Sequence, residues 1–183
     1  MRRFASGGVQ VVESGVALRT QSCVEGDLAI SCGLAGGLRP DLPTGAVLVP
    51  ERVLRPDGGE MQCDEPAVNA LTNAALQLGH RVIHEPLVTS HTFVSGEERA
   101  IWAARGYAGV DMETGLLRAS RIACVRVVLD TPQREISPAW LHPARAILQP
   151  RAWRDLPFLM REGPRCSNIA AQIAAAAADQ LQR

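Results

Sequence analysis

The sequence lacks the features that mark membrane, secreted and nucleic-acid-binding proteins. Its 183 residues carry no net charge, with 19 Lys+Arg against 19 Asp+Glu, and only 4% of them are aromatic. No segment combines a basic stripe with aromatic side chains, so we expect no nucleic-acid partner. No apolar run approaches the ~20 residues that span a bilayer, and no signal-peptide core follows the basic N-terminus. We therefore expect a cytoplasmic protein without a membrane span.

Disulfide and metal motifs are also missing. The five cysteines are odd in number, widely spaced and without a CxxC pair, and most of them lie in apolar runs. This pattern is typical of buried free thiols in a reducing compartment. The four histidines lack the spacing of metal ligands, so we predict no metal site.

The chain does contain a regular alternation of short β-branched runs with alanine-rich or amphipathic stretches. This pattern predicts strands joined by helical crossovers around a central sheet. With 183 residues and 46% hydrophobic content, the chain can bury one core and is too short for two ordinary domains, so we predict one domain over residues 1–183. The predicted strands are Val9–Glu13, Leu28–Cys32, Ala46–Pro50, His80–Leu87 and Ala123–Leu129. The predicted helices are Pro66–Leu78, Ser95–Arg105, Leu116–Ser120 and Ser167–Leu181.

Residues at the predicted helix ends support these bounds. Gly79 and Gly106 follow two of the helices, where a C′ glycine is expected. Ser95 and Glu98 have the spacing of a capping box, and Ser167 is suited to cap the last helix.

A glycine-rich stretch and two acidic residues stand out as candidate functional residues. Residues 33–38, GLAGGL, directly follow the apolar run Leu28–Cys32 and can wrap a polar ligand. Glu113 follows Val-Asp-Met, and Asp130 ends the apolar run Val-Arg-Val-Val-Leu. We expect the glycine loop and the two acids to converge at the ends of neighbouring strands.

Each of these residues also has a purely structural interpretation when it is considered alone. A glycine pair after a strand is often only a tight turn. Asp130 could be a turn or capping residue, Glu113 could favour the dipole of a following helix, and Phe93 could be a core residue. Their combined order and spacing favour a functional interpretation.

That order resembles the nucleoside phosphorylase and nucleosidase superfamily over roughly residues 9–157. The motifs that carry the likeness are GLAGGL, the strand Ala46–Pro50, VDMET and RVVLD. Within the superfamily, GLAGGLRP, VDME and the late motif DLP are most similar to hopanoid-associated phosphorylases, which resemble adenosylhopane nucleosidases. The resemblance implies an α/β fold with a mixed central sheet flanked by helices in a three-layer sandwich. It also implies a homo-oligomer.

The activity that this resemblance implies is cleavage of the N-glycosidic bond of a purine nucleoside, with release of adenine. No cofactor is implied, although phosphate is a co-substrate if phosphate rather than water is the acceptor. Asp130 corresponds to the acid that hydrogen-bonds or protonates the purine at N7. A purine anion leaves poorly until it is protonated, and burial at a strand end can raise a carboxyl pKa enough to supply the proton. Glu113 and Met112 correspond to the residues that bind the ribose.

The same resemblance assigns the remaining contacts with the base and sugar. Phe93 corresponds to the residue that stacks on the purine, and Val94 to one that offers backbone contacts to its edge. Ala35 and Gly36 would pass beneath the sugar and base, because small side chains allow the backbone to approach closely.

The chain departs from the superfamily pattern in two places. Its relatives begin with a strand and loop that carry either a water-activating acid or a glycine-arginine phosphate loop. Only eight residues precede Val9, so we expect this strand and the activating group to be absent, and Glu13, the nearest acid, to lie on a different strand. Leu129 stands where nucleosidases often have a serine beside the catalytic acid.

These departures leave a second hypothesis open. The chain could be a catalytically weak or inactive homologue that binds purine or acts as an assembly partner. A nicotinamide-binding Rossmann domain is disfavoured, because GLAGGL lacks the G-x-G-x-x-G spacing and no acid ends the next strand about twenty residues on.

Overall fold

The computed structural model describes residues 4–6, 9–12, 27–141, 146, 149–150 and 152–182. Within them an eight-stranded mixed sheet is flanked by helices, which confirms the predicted α/β class. Its strands are β3 (Leu28–Gly37), β4 (Val47–Leu48), β5 (Arg52–Leu54), β6 (Glu60–Gln62), β7 (Val82–Ile83), β8 (Leu87–Thr89), β9 (Gly109–Asp111) and β10 (Arg121–Asp130). Their spatial order is β6-β5-β8-β9-β3-β10-β4-β7. The helices of the described residues are α1 (Glu65–Gln77), α2 (Glu97–Ala104) and α3 (Leu156–Leu181), and none of them is long and apolar enough to cross a membrane.

The centre of the sheet is the parallel pair of β3 and β10, each ten residues long. Residues 122–130 of β10 are all buried, including the charged Arg126 and Asp130, and the largely apolar run over residues 123–129 predicts this burial. On one face, Ala123, Val125 and Val127 pack with buried residues of α1 and α3. On the other face, Ile122 and Val128 belong to a second apolar cluster. Burial on both faces fixes the position of the end of β10, where Asp130 lies.

Helix α1 forms largely as its sequence predicts. Asp64 caps its N-terminus, accepting a hydrogen bond of 3.0 Å from the amide of Ala67, and Pro66 lies in the first turn. At the other end, Gly79 has a φ of +82°, a conformation that glycine adopts without strain.

The predicted glycine loop is not a loop. Residues 33–37 continue β3, where Gly36 and Gly37 pair antiparallel with Val110 and Gly109 of β9. The sequence argument was wrong because glycine disfavours strands only weakly, and pairing on both edges outweighs that preference.

Several other predicted elements differ from the structure. The strand predicted over His80–Leu87 is two short strands, β7 and β8, separated by residues 84–86, which include a proline without an amide donor. Ser95 does not cap α2, because Gly96 occupies the N-cap and no side chain bonds there. The helix predicted over Leu116–Ser120 is instead a 3₁₀ turn, Thr114–Leu116.

The two ends of the described chain also depart from the prediction. The strand β2 (Val9–Val11) pairs antiparallel with β1 (Phe4–Ser6) in a separate two-stranded sheet and not within the central sheet. Helix α3 begins eleven residues before Ser167 and continues through Pro164. Proline removes the bond to the carbonyl four residues back, but Met160 there is 70% exposed, so water can satisfy that carbonyl.

The free cysteines are not all buried, in contrast to the prediction. Cys124 and Cys166 are buried, Cys63 is half-buried and Cys32 is exposed on β3, while Cys23 lies outside the described residues. Leu181, the last residue of α3, is 36% exposed.

Candidate active site

Asp130 and the glycine segment lie side by side in the sheet, and Glu113 follows the strand that pairs with that segment. Strand pairing places Asp130 beside Gly36, Gly36 beside Val110, and Val110 beside Val88, so one row of residues crosses β10, β3, β9 and β8. Glu113 lies two residues beyond the end of β9. The structure therefore brings together segments that are far apart in sequence.

A register shift positions Asp130 at the end of β10. Val128 pairs with Ala35 and Asp130 with Gly36, so Leu129 is an extra residue in the ladder. The carbonyl of Leu129 accepts a hydrogen bond of 2.8 Å from the hydroxyl of Thr44. Bulges of this kind re-aim the neighbouring side chain, which accounts for the direction of the Asp130 carboxyl.

Asp130 is 4% exposed and forms an ion pair with Arg99 of α2. Burial raises the pKa of Asp130 above its ordinary value, although the Arg99 guanidinium and the backbone amide of Ile136 act in the opposite direction. The carboxyl therefore keeps its proton to higher pH than an exposed aspartate does.

Gly36 has a specific steric role beside this ion pair. A Cβ atom at Gly36 would lie 3.2 Å from Oδ1 of Asp130 and 3.4 Å from Nη2 of Arg99. These contacts are tighter than ordinary packing, so the absence of a side chain lets the carboxylate and guanidinium lie against the strand. Ala35, the preceding residue, is buried in the apolar cluster of Ile122 and Val128.

A second buried cluster surrounds Arg126, a charged residue in the middle of β10. Its Nη2 lies 2.7 Å from Oδ2 of Asp111 and 2.8 Å from the hydroxyls of Ser31 and Thr114. Asp111 also accepts hydrogen bonds from the Thr89 hydroxyl at 2.6 Å and from the Thr114 amide at 3.1 Å. Arg126 is thus held by acceptors from β3, β9 and the 3₁₀ turn.

Glu113 lies at the edge of this cluster. Its Oε2 is 3.6 Å from Nη2 of Arg126, and its side chain is 19% exposed. Met112, beside it, is half-buried. The cluster therefore orients one partly accessible carboxylate towards solvent with buried positive charge behind it.

Arg99 connects the predicted base-binding segment to Asp130. Val94 is buried with Leu38, Val88 and Val110, and its carbonyl accepts a hydrogen bond of 3.1 Å from Nε of Arg99. Phe93 is half-buried. The roles of Phe93 and Val94 in binding a base stay predictions.

Sequence reasoning missed the residues that hold the two acids. Arg126 is a charge within an otherwise apolar strand, a signal that could have identified it as a buried partner for an acid. Arg99 gave no comparable signal, because it lies in a polar stretch, and Asp111 lies in the VDMET motif, where the resemblance drew attention to Glu113 instead. Glu13, the nearest acid to the N-terminus, lies outside the described residues.

Comparisons with known proteins agree with this architecture. The family model described as the phosphorylase superfamily matches residues 8–130. No curated protein matches the sequence. Among solved structures, a similar one is the 5′-methylthioadenosine/S-adenosylhomocysteine nucleosidase of Neisseria meningitidis in complex with methylthio-immucillin-A. The TM-score is 0.65 and the sequence identity is 19%, over 84% of this chain and 70% of that chain.

Two Helicobacter pylori proteins are similar to the same extent. Its 5′-methylthioadenosine/S-adenosylhomocysteine nucleosidase gives a TM-score of 0.62 and 13% identity over 84% of this chain and 68% of that one. Its futalosine hydrolase gives the same TM-score, identity and shares of the two chains. These identities establish a shared fold, and the family model matches most of the chain. The chain belongs to the phosphorylase superfamily.

Proposed function

We propose that this protein cleaves the N-glycosidic bond of a purine nucleoside and releases the base. The observation that carries the proposal is the buried Asp130 carboxyl at the end of β10, which lies beside Gly36 of β3 and has a raised pKa. A departing purine needs a proton on its imidazole ring, and burial of the carboxyl raises its pKa and so favours the protonated form that can supply it. Asp130 is the proposed general acid.

Glu113 is the proposed ribose ligand, with Met112 beside it. As positive charge develops on the ribosyl ring, a carboxylate near the hydroxyls stabilises the transition state. Arg126 keeps Glu113 oriented through the ion pair of 3.6 Å.

The base would lie between the segment of Phe93 and Val94 and the strand at Ala35 and Gly36. Phe93 would stack on the purine face, and Val94 would offer backbone contacts to its edge. The Val94 carbonyl already accepts from Arg99, which favours its amide for that contact.

Adenine is the proposed base, because structures similar to this chain hold 5′-methylthioadenosine and adenine. For the substrate as a whole we propose an adenosine with a 5′ substituent, and adenosylhopane is the specific candidate that the sequence motifs favour. The acceptor is water or phosphate. No cofactor is required for either reaction.

We also propose that the protein is a homo-oligomer. Leu156 and Met160, four residues apart on one side of α3, are 40% and 70% exposed, and a subunit contact would bury them. Light scattering coupled to size-exclusion chromatography measures the mass directly. A mass of one chain at all concentrations contradicts this part of the proposal.

The test of the activity is the release of adenine from adenosine, 5′-methylthioadenosine and adenosylhopane, each with and without phosphate. Release that needs phosphate identifies a phosphorylase, and release without phosphate identifies a nucleosidase. Adenine binding without release from any substrate favours the alternative, a purine-binding or assembly homologue. The absence of both release and adenine binding contradicts the proposal.

A further inference from the structure

We propose that Arg99 is the positioning residue that links the acid Asp130 to the base-binding segment at Val94. This inference rests on the proposed function, since it assigns a role to Arg99 in that same site. Arg99 would act through Asp130 and the backbone of Val94, without touching the substrate itself.

The first argument is the burial of Arg99. It is 1% exposed and is the largest fully buried side chain among the described residues. A guanidinium carries its charge at every accessible pH, so its burial is costly unless acceptors surround it. An arginine that contributed only packing would be replaced more favourably by an apolar residue.

The second argument is the identity of its acceptors. Nη2 pairs with Oδ2 of Asp130, Nη1 donates to the Gly37 carbonyl at 2.9 Å, and Nε donates to the Val94 carbonyl at 3.1 Å. These three acceptors belong to the proposed acid, the glycine strand and the base-binding segment. The fork of one guanidinium therefore fixes the positions of three segments relative to one another.

The third argument concerns which carboxylate oxygen remains for a ligand. Arg99 pairs with Oδ2, while Oδ1 lies over Gly36, on the strand that would pass beneath the base. Arg99 thereby selects one orientation of the carboxyl. Without it, the carboxyl could rotate about its terminal torsion, which is broad for aspartate.

The charged groups that face Arg99 within the described ranges are Asp130 and Glu135. Glu135 lies 3.3 Å from Nε of Arg99, and it also accepts a hydrogen bond of 2.8 Å from the amide of Gly96 at the start of α2. Because Glu135 is 30% exposed at its side chain, solvent screens its charge more than that of Asp130. Asp130 is accordingly the group whose titration should respond most to Arg99.

The experiment compares Arg99→Met and Arg99→Lys with the matched control Arg121→Met. Arg121 begins β10, pairs with Asp64 and is 48% exposed at its side chain, so its loss removes an ion pair far from Asp130. Two quantities are measured: the titration of Asp130 by ¹³C NMR of aspartate-labelled protein, assigned with Asp130→Asn, and the affinity for adenine by calorimetry.

We expect Arg99→Met to move the titration midpoint of Asp130 to higher pH by about one pH unit or more, because an opposite charge is lost. Adenine should bind about tenfold more weakly or worse, because the Val94 segment loses its anchor. Arg121→Met should match the wild type in both measurements. An unchanged Asp130 midpoint in Arg99→Met overturns the proposal, and a raised midpoint with unchanged adenine affinity overturns the link to Val94.

Arg99→Lys keeps the test decisive if Arg99→Met does not fold. Lysine retains the charge but cannot reach three acceptors with a planar fork. The proposal expects an Asp130 midpoint close to that of the wild type, with adenine affinity still reduced about tenfold. Wild-type affinity in Arg99→Lys contradicts the need for the fork.

Failure of the proposed function can be distinguished from failure of this inference. If the wild type neither binds adenine nor releases it, the proposed function fails. The NMR titration still reports whether Arg99 controls Asp130, since it needs no ligand.

Discussion

The guanidinium of Arg126 fills the space that a side chain at Gly33 would occupy. A Cβ atom at Gly33 would collide with Nη1 of Arg126. Because Arg126 also pairs with Asp111 and contacts Glu113, this glycine makes room for the arginine that lies beside the proposed ribose ligand. The relationship gives the first prediction.

Gly33→Ala should destabilise the protein and impair nucleoside binding. The displaced Arg126 is buried and bonded on several sides, so we expect the free energy of unfolding to fall by about 1–3 kcal/mol, as for other overpacked sites. Nucleoside affinity should fall with it, because Glu113 loses its support. Chemical denaturation and calorimetry with 5′-methylthioadenosine measure the two effects.

The control for this variant is Ser167→Ala in α3. Ser167 is exposed within the helix, and alanine has the higher helix propensity. We expect Ser167→Ala to leave the free energy of unfolding unchanged or to raise it by up to about 0.5 kcal/mol. If Gly33→Ala is as harmless as Ser167→Ala, Arg126 is not fixed as described.

Asp130→Asn should abolish adenine release while it leaves adenine binding largely intact. An amide retains the shape of the side chain but cannot donate a carboxyl proton, and loss of a general acid costs about 100-fold to 10,000-fold in rate. Adenine release and calorimetry with adenine should be run on the same preparation. Equal losses of both would show that Asp130 is a structural residue.

Glu113→Gln should weaken ribose-containing ligands more than free adenine. A hydrogen bond to a charged group contributes about 1.5–3 kcal/mol, so the affinity for 5′-methylthioadenosine should fall about 10-fold or more. Adenine has no ribose and should bind nearly as it does to the wild type. Identical weakening of both ligands contradicts the ribose role.

Stability should depend on pH through Asp130. Since burial raises the folded-state pKa of Asp130 above its unfolded value, the folded state holds the proton more tightly. The stabilising contribution of that proton is complete below the unfolded pKa, about 3.9, and is lost as pH rises through the folded pKa. Asp130→Asn cannot titrate and removes this dependence.

Urea unfolding of the wild type and Asp130→Asn over about pH 4 to 7 measures this contribution, because other titrating groups cancel in the difference. We expect the stability of the wild type to decline relative to the variant as pH rises. The opposite slope would mean that Arg99 lowers the pKa of Asp130 more than burial raises it, so that Asp130 is ionised over this pH range.

The sequence anticipated the class of fold because apolar patterning controls it. The β-branched run over residues 123–129 and the helix ended by Gly79 both formed as expected. Register was not predictable: the shift at Leu129 and the pairing of Gly36 with Val110 depend on contacts between distant strands. Local pattern contains no information of that kind.

The site was predictable only in part, for a related reason. Asp130 and Glu113 follow apolar runs and could be identified by position and by resemblance. Arg99 and Asp111 could not, because a buried ion pair is recognisable only when both partners are placed in the fold. The base-binding and ribose-binding roles remain proposals that direct measurement must test.

The most direct test of the account is the crystal structure of the protein with methylthio-immucillin-A, the ligand held by the similar N. meningitidis nucleosidase. We predict that the base lies between Phe93 and Gly36 with its five-membered ring facing Oδ1 of Asp130, and that the hydroxyls of the ribose mimic contact Glu113. A ligand bound elsewhere, such as the 420 Å³ cavity beside Arg39 and Arg165, or no binding at saturating concentration, would contradict the account.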